Sequence, residues 1–140
     1  MDGYAGTTAT LNGGFDNINA LVGSSAQDTL TGTNNASTFE LDTTTYTQNG
    51  STETLTYVGF ENLNGGSATD QFNIKGTPTF NLYGGAGNDT FSLIDNGTAP
   101  NLNGTIKGGA GTGDTMDYSQ YIGIVTFNYG TGAATGVSGG

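Results

Sequence analysis

Leu82-Tyr83-Gly84-Gly85-Ala86-Gly87-Asn88-Asp89-Thr90-Phe91 sets two apolar residues nine positions apart, with a glycine-rich turn and an aspartate between them. Three other segments share this pattern: LVGSSAQDTL (21–30), LNGGSATDQF (63–72) and IKGGAGTGDTM (106–116), the last with one inserted residue. Leu11-Asn12-Gly13-Gly14 is a partial fifth copy. The first glycine stands five residues before the aspartate in Gly23/Asp28, Gly65/Asp70 and Gly84/Asp89. A glycine pair permits the positive φ that a sharp corner needs. An aspartate just after the corner can accept backbone N–H groups or face a cation.

The steps between these aspartates set the expected fold. Asp70 to Asp89 is 19 residues, Asp89 to Asp114 is 25, and Asp28 to Asp70 is 42, which reads as two steps of 21. A turn recurring every 19–25 residues predicts an all-β parallel solenoid, a flattened β-roll or β-helix of about six coils. Residues 1–140 then form a single domain. Residues 31–60 read as a Thr-rich coil whose turn has lost the motif. Short alternating stretches predict strands with Phe72/Ile74, Phe80/Leu82, Phe91/Leu93 and Val125/Phe127 pointing inward. No window keeps a helical apolar period for three turns. Asn17 and Asn62 follow similar Phe-acid-Asn text and read either as inward residues at a bend or as solvated turn residues.

Composition narrows the chemistry. Of 140 residues, 26 are glycine and 2 are proline, and 2 Lys or Arg face 12 acids for a net charge of −10. Such a chain cannot build the basic stripe that nucleic acid needs, and no apolar run is long enough to span a membrane as a helix. With no Cys and no His, thiol nucleophiles, imidazole bases, disulfides and most zinc, copper or haem sites are excluded. A hard cation held by Asp and backbone oxygens is the metal class that remains.

GGAGNDTFS (84–92) fits the nonapeptide G-G-x-G-x-D-x-U-x in full and resembles the calcium-binding repeats of RTX-type secreted bacterial proteins. Phe60-Glu61-Asn62-Leu63-Asn64-Gly65-Gly66 and the segment from Asp117 to Gly136 resemble text common in giant repetitive bacterial surface and matrix proteins. The resemblance implies calcium at an edge bearing Asp70, Asp89 and Asp114, with carbonyls of Gly84, Ala86 and Gly87 joining Asp89. The sequence departs from that family in marking one edge only, so at most one edge is expected to hold ions. The alternative reading is that each Asp caps a tight turn.

The expected function is non-enzymatic: a structural module of a secreted, extracellular bacterial surface, adhesin or matrix protein, forming a rigid rod. Tyr4–Gly14 and Tyr129–Gly140 share Gly/Ala/Thr text, as if the chain were one period of a tandem array. No capping element is evident near either terminus, so head-to-tail association of copies is expected. A second class is a module binding surface polysaccharide or a protein partner through Tyr118, Tyr121 and Tyr129. A third, ice binding, would need the Thr29/Thr31, Thr54/Thr56 and Thr77/Thr79 pairs in one flat array. Catalysis is disfavoured, because Lys75 and Lys107 are the sole cations and lie in different segments.

Overall fold

The computed structural model describes residues 4–8 and 11–138 and contains no helix among them. Fifteen strands follow in order: β1 (Tyr4–Thr8), β2 (Leu11–Ile18), β3 (Ala20–Val22), β4 (Thr29–Thr31), β5 (Ser37–Glu40), β6 (Thr45–Gln48), β7 (Leu55–Val58), β8 (Asn62–Gly66), β9 (Gln71–Ile74), β10 (Asn81–Ala86), β11 (Thr90–Leu93), β12 (Ile106–Ala110), β13 (Thr115–Asp117), β14 (Phe127–Asn128) and β15 (Ala133–Ala134).

The all-β expectation holds, but the architecture is not a single parallel solenoid of about six coils. Four sheets form instead, and they mix both directions. A four-stranded sheet, β12-β10-β8-β4, is parallel throughout. A seven-stranded sheet runs β13-β11-β9-β5-β6-β7-β3, parallel from β13 to β5, antiparallel across β5-β6-β7, and parallel again at β7-β3. Two antiparallel ribbons, β1-β2 and β14-β15, complete it.

The cause lies in residues 41–58. They fall within residues 31–60, expected as one coil of the solenoid with a Thr-rich outward loop, yet the links before and after β6 are only a few residues long. A parallel return needs a crossover of a dozen residues or more, so such short links permit only antiparallel pairing. Thr44 takes a φ of 50° in the first link, and Gly50 a φ of 84° in the second. The excursion also breaks the expected even step. Leu30 pairs with Leu63, and Phe39 with Phe72, each thirty-three residues apart. Beyond it the step returns to nineteen, in Leu63 with Leu82 and Phe72 with Phe91.

This register builds the core. Leu30, Leu63 and Leu82 form one buried column, and Phe39, Phe72 and Phe91 another. In the second column the rings stack, with centroids 4.8 Å and then 5.0 Å apart and planes within 6° and 12°. Ile74 and Leu93 are buried as expected, and Phe80 is half-buried. Val125 and Phe127 are not inward: they are 44% and 48% exposed. Their segment leaves the sheets and forms the β14-β15 ribbon.

The two ribbons pair only within themselves and leave β3, β4, β12 and β13 as edge strands. Tyr4 and Ile18 of β1 and β2 pack on the core, the Tyr4 ring 5.6 Å from that of Tyr46. At the other end of the chain, Val137 bridges to buried Leu102, whose N–H and C=O bond Gly136 and Ser138.

Candidate functional site

Asp70, Asp89 and Asp114 immediately precede β9, β11 and β13, which are neighbours in one sheet. The three side chains therefore rise in a column. The backbone N–H of Asp70 donates to Asp89 Oδ1 at 2.8 Å, and that of Asp89 donates to Asp114 Oδ1 at 3.0 Å. The Asp89 and Asp114 carboxylates thus each cap the turn of the preceding layer.

The glycine pair divides the work at each turn. The first glycine (Gly65, Gly84 or Gly108) has ordinary backbone, but its missing Cβ is where the carboxylate of its own aspartate lies. The second (Gly66, Gly85 or Gly109) carries the positive φ, at 125°, 105° and 106°. The glycine-to-aspartate spacing is therefore a packing rule. The turn comes back far enough to lay the carboxylate on the bare glycine.

Burial is uneven along the column. Asp70 is 1% exposed and Asp89 0%, whereas Asp114 is open to solvent. Both oxygens of Asp70 and Oδ2 of Asp89 are buried without a hydrogen-bond partner. Burial pushes the Asp70 carboxyl up to about 6, and the neighbouring Asp89 charge adds to this, while Ser37 in the preceding layer offsets part of it. Burial likewise raises Asp89, opposed by its bond from Asp70 N–H and reinforced by Asp114. Removing a carboxylate from water disfavours its charged form.

Asp70 and Asp89 offer three unpartnered carboxylate oxygens, so a Ca²⁺ ion, which takes six to eight oxygens, would draw the rest of its shell from backbone carbonyls and water. Among the described residues no three acidic side chains gather in a group that could hold a metal. Gly84 packs against the Asp89 carboxylate, Ala86 ends β10, and Gly87 donates its N–H to the Ala110 carbonyl. These three belong to the Asp89 turn, as the motif requires, and serve its packing.

Asp28 does not join the column. Its turn leads from the seven-stranded sheet into the four-stranded one, the reverse of the others, so the first motif copy is out of phase. There the Asp28 N–H bonds Glu61 Oε2 at 2.9 Å, and the Asp28 carbonyl accepts from Asn62 Nδ2 at 3.1 Å. Asn62 Oδ1 in turn accepts from Asn81 Nδ2, and Asn81 Oδ1 from Thr105, making an amide ladder. Asn62 is thus a half-buried structural residue, while Asn17 is exposed with a φ of 58°.

The sequence reading missed a second polar cluster. Glu40 accepts from Lys75 Nζ at 2.7 Å and from Asn73 Nδ2. Gln71 Nε2 reaches Asn73 Oδ1 at 3.0 Å and Ser92 Oγ at 2.8 Å. The available signal was alternation: Gln71, Asn73 and Lys75 alternate with Phe72 and Ile74, and so face away from the ring column. Of the three tyrosines singled out, Tyr118 and Tyr121 are half-buried and meet edge to face at 5.8 Å, and Tyr129 is 96% exposed. Thr29 and Thr31 belong to β4 and Thr56 to β7, in different sheets, so these threonines form no single array.

Comparison with known proteins returns no matching family model, no similar curated protein and no similar solved structure.

Proposed function

We propose that the chain is a non-enzymatic structural module of an extracellular bacterial surface, adhesin or matrix protein. In this reading it is one unit of a tandem array that bears load along the array. One observation carries it: the defining residues of the motif are spent on holding layer to layer. The aspartates bond the neighbouring layer's N–H groups, the first glycines make room for those carboxylates, and the phenylalanines stack ring on ring. A composition without Cys suits a module held by packing and hydrogen bonds instead of disulfides.

Pulling a tandem chain of several copies by atomic force microscopy tests this. Evenly spaced, cooperative rupture peaks are expected, one per copy. A smooth extension without peaks overturns the mechanical role.

A further inference from the structure

Beside β13, the segment leading into β14 leaves an open cleft of about 430 Å³ lined by Asp114, Met116, Tyr118, Val125, Phe127 and Tyr129. Two of its rings present themselves to solvent: Phe127 at 48% exposure and Tyr129 at 96%, with centroids 5.1 Å apart and planes tilted by 59°. Asp114, on the same lining, is exposed. One of its oxygens holds the Asp89 N–H, which fixes the carboxylate at the column's open end.

We propose that this cleft binds an organic cation from outside the chain: a quaternary ammonium group, or the methylated ammonium of a lysine side chain. The cleft gathers two exposed aromatic rings and a carboxylate on one lining, and rings with a negative charge are the groups that recognise such cations, through the ring quadrupole and the charge together. The chain itself cannot supply the cation. It has two Lys or Arg side chains. Lys75 is held by Glu40 at 2.7 Å, and Lys107 lies over the Tyr83 ring, 5.3 Å from its centroid. The second pair shows the same chemistry already in use on this molecule. A net charge of −10 further draws a cationic ligand to the surface.

A neutral sugar fits less well. It needs several hydrogen-bonding groups around its hydroxyls, and the Tyr118 hydroxyl is already committed to the Thr135 carbonyl at 2.7 Å.

Choline and its uncharged isostere 3,3-dimethyl-1-butanol separate charge from shape, with a cello-oligosaccharide as the sugar probe. Aromatic NMR signals of Phe127 and Tyr129 are followed as each probe is added. Choline is expected to give saturable shifts in roughly the millimolar range, weakened by added salt, with the isostere and the sugar giving none. Tyr129→Ala removes an exposed ring and Asp114→Asn removes the charge while keeping an acceptor for the Asp89 N–H. Each should weaken choline by about fivefold or more with the amide spectrum otherwise unchanged. Equal binding of choline and the isostere, preferential binding of the sugar, or no saturation with choline overturns the proposal.

Discussion

Asp89 holds the backbone N–H of Asp70 across 2.8 Å, from a turn nineteen residues further along the chain. Three of the four oxygens of these two carboxylates are buried without hydrogen-bond partners. Stacking two acids this way costs free energy whenever both are charged.

Stability should therefore fall as pH rises. The Asp70 carboxyl sits near 6 in the folded chain against an ordinary 3.8, so the folded form binds the proton more tightly. Its stabilising contribution is complete below 3.8 and is lost as pH passes through about 6. Asp89 shifts in the same direction. Urea denaturation at pH 5 and pH 8 should show the greater stability at pH 5, and Asp70→Asn should flatten the difference. Greater stability at pH 8 would remove the strained acid column as an explanation.

Calcium should do much less than protons. Asp89 Oδ1 is engaged with the Asp70 N–H, and one oxygen each of Asp70 and Asp89 is pressed on a glycine, which leaves few carboxylate oxygens for a cation. Melting temperatures in millimolar calcium and in chelator are expected to coincide at pH 7.5. A rise of several degrees with calcium would mean that Asp70 and Asp89 gather a cation after all.

The ring column offers a test of packing. Phe72 is fully buried and stacked on both sides, by Phe39 and by Phe91. Phe72→Ala should cost roughly 3–5 kcal/mol, whereas Phe127→Ala, at a half-exposed ring, should cost under about 1 kcal/mol. Chemical denaturation of the two variants distinguishes a working register from an accidental one; similar losses would contradict it.

Glycines of the two kinds should respond differently to alanine. At Gly84 a Cβ would strike the Asp89 carboxylate and the Gly108 carbonyl. At Gly50 nothing lies within 4 Å, and the penalty is only that of a positive φ of 84°, about 1 kcal/mol. Gly84→Ala is expected to lower the melting temperature far more than Gly50→Ala. The reverse order would mean that the turn has room the structure does not show.

How far the sequence could be read depended on how local the information was. The steps from Asp70 to Asp89 to Asp114 are visible in the text and correspond to real strand pairings, because motif and register coincide there. Asp28 carries the same local text but stands in a turn of opposite sense. Nothing within ten residues of it records that, since the phase is set by the hairpin further along. Strand direction over 45–58 was misjudged because alternation is identical in parallel and antiparallel strands; link length decides between them. The burial of Asp70 and Asp89 was likewise not local. It arises from the neighbouring layers on either side, whereas Asp114 bears the same motif and remains exposed.

The β6 excursion has a consequence for how such chains diversify. Some eighteen residues intervene between Leu41 and Phe60 and add β6 and β7 to the sheet, and Phe39 still meets Phe72 in the same ring alignment as Phe72 meets Phe91. The layered scaffold thus works as a port: foreign sequence can enter at one link and exit without altering the pitch on either side. Gly50, at the tip of the excursion with open space around it, is the natural point at which to graft a recognition loop or an epitope.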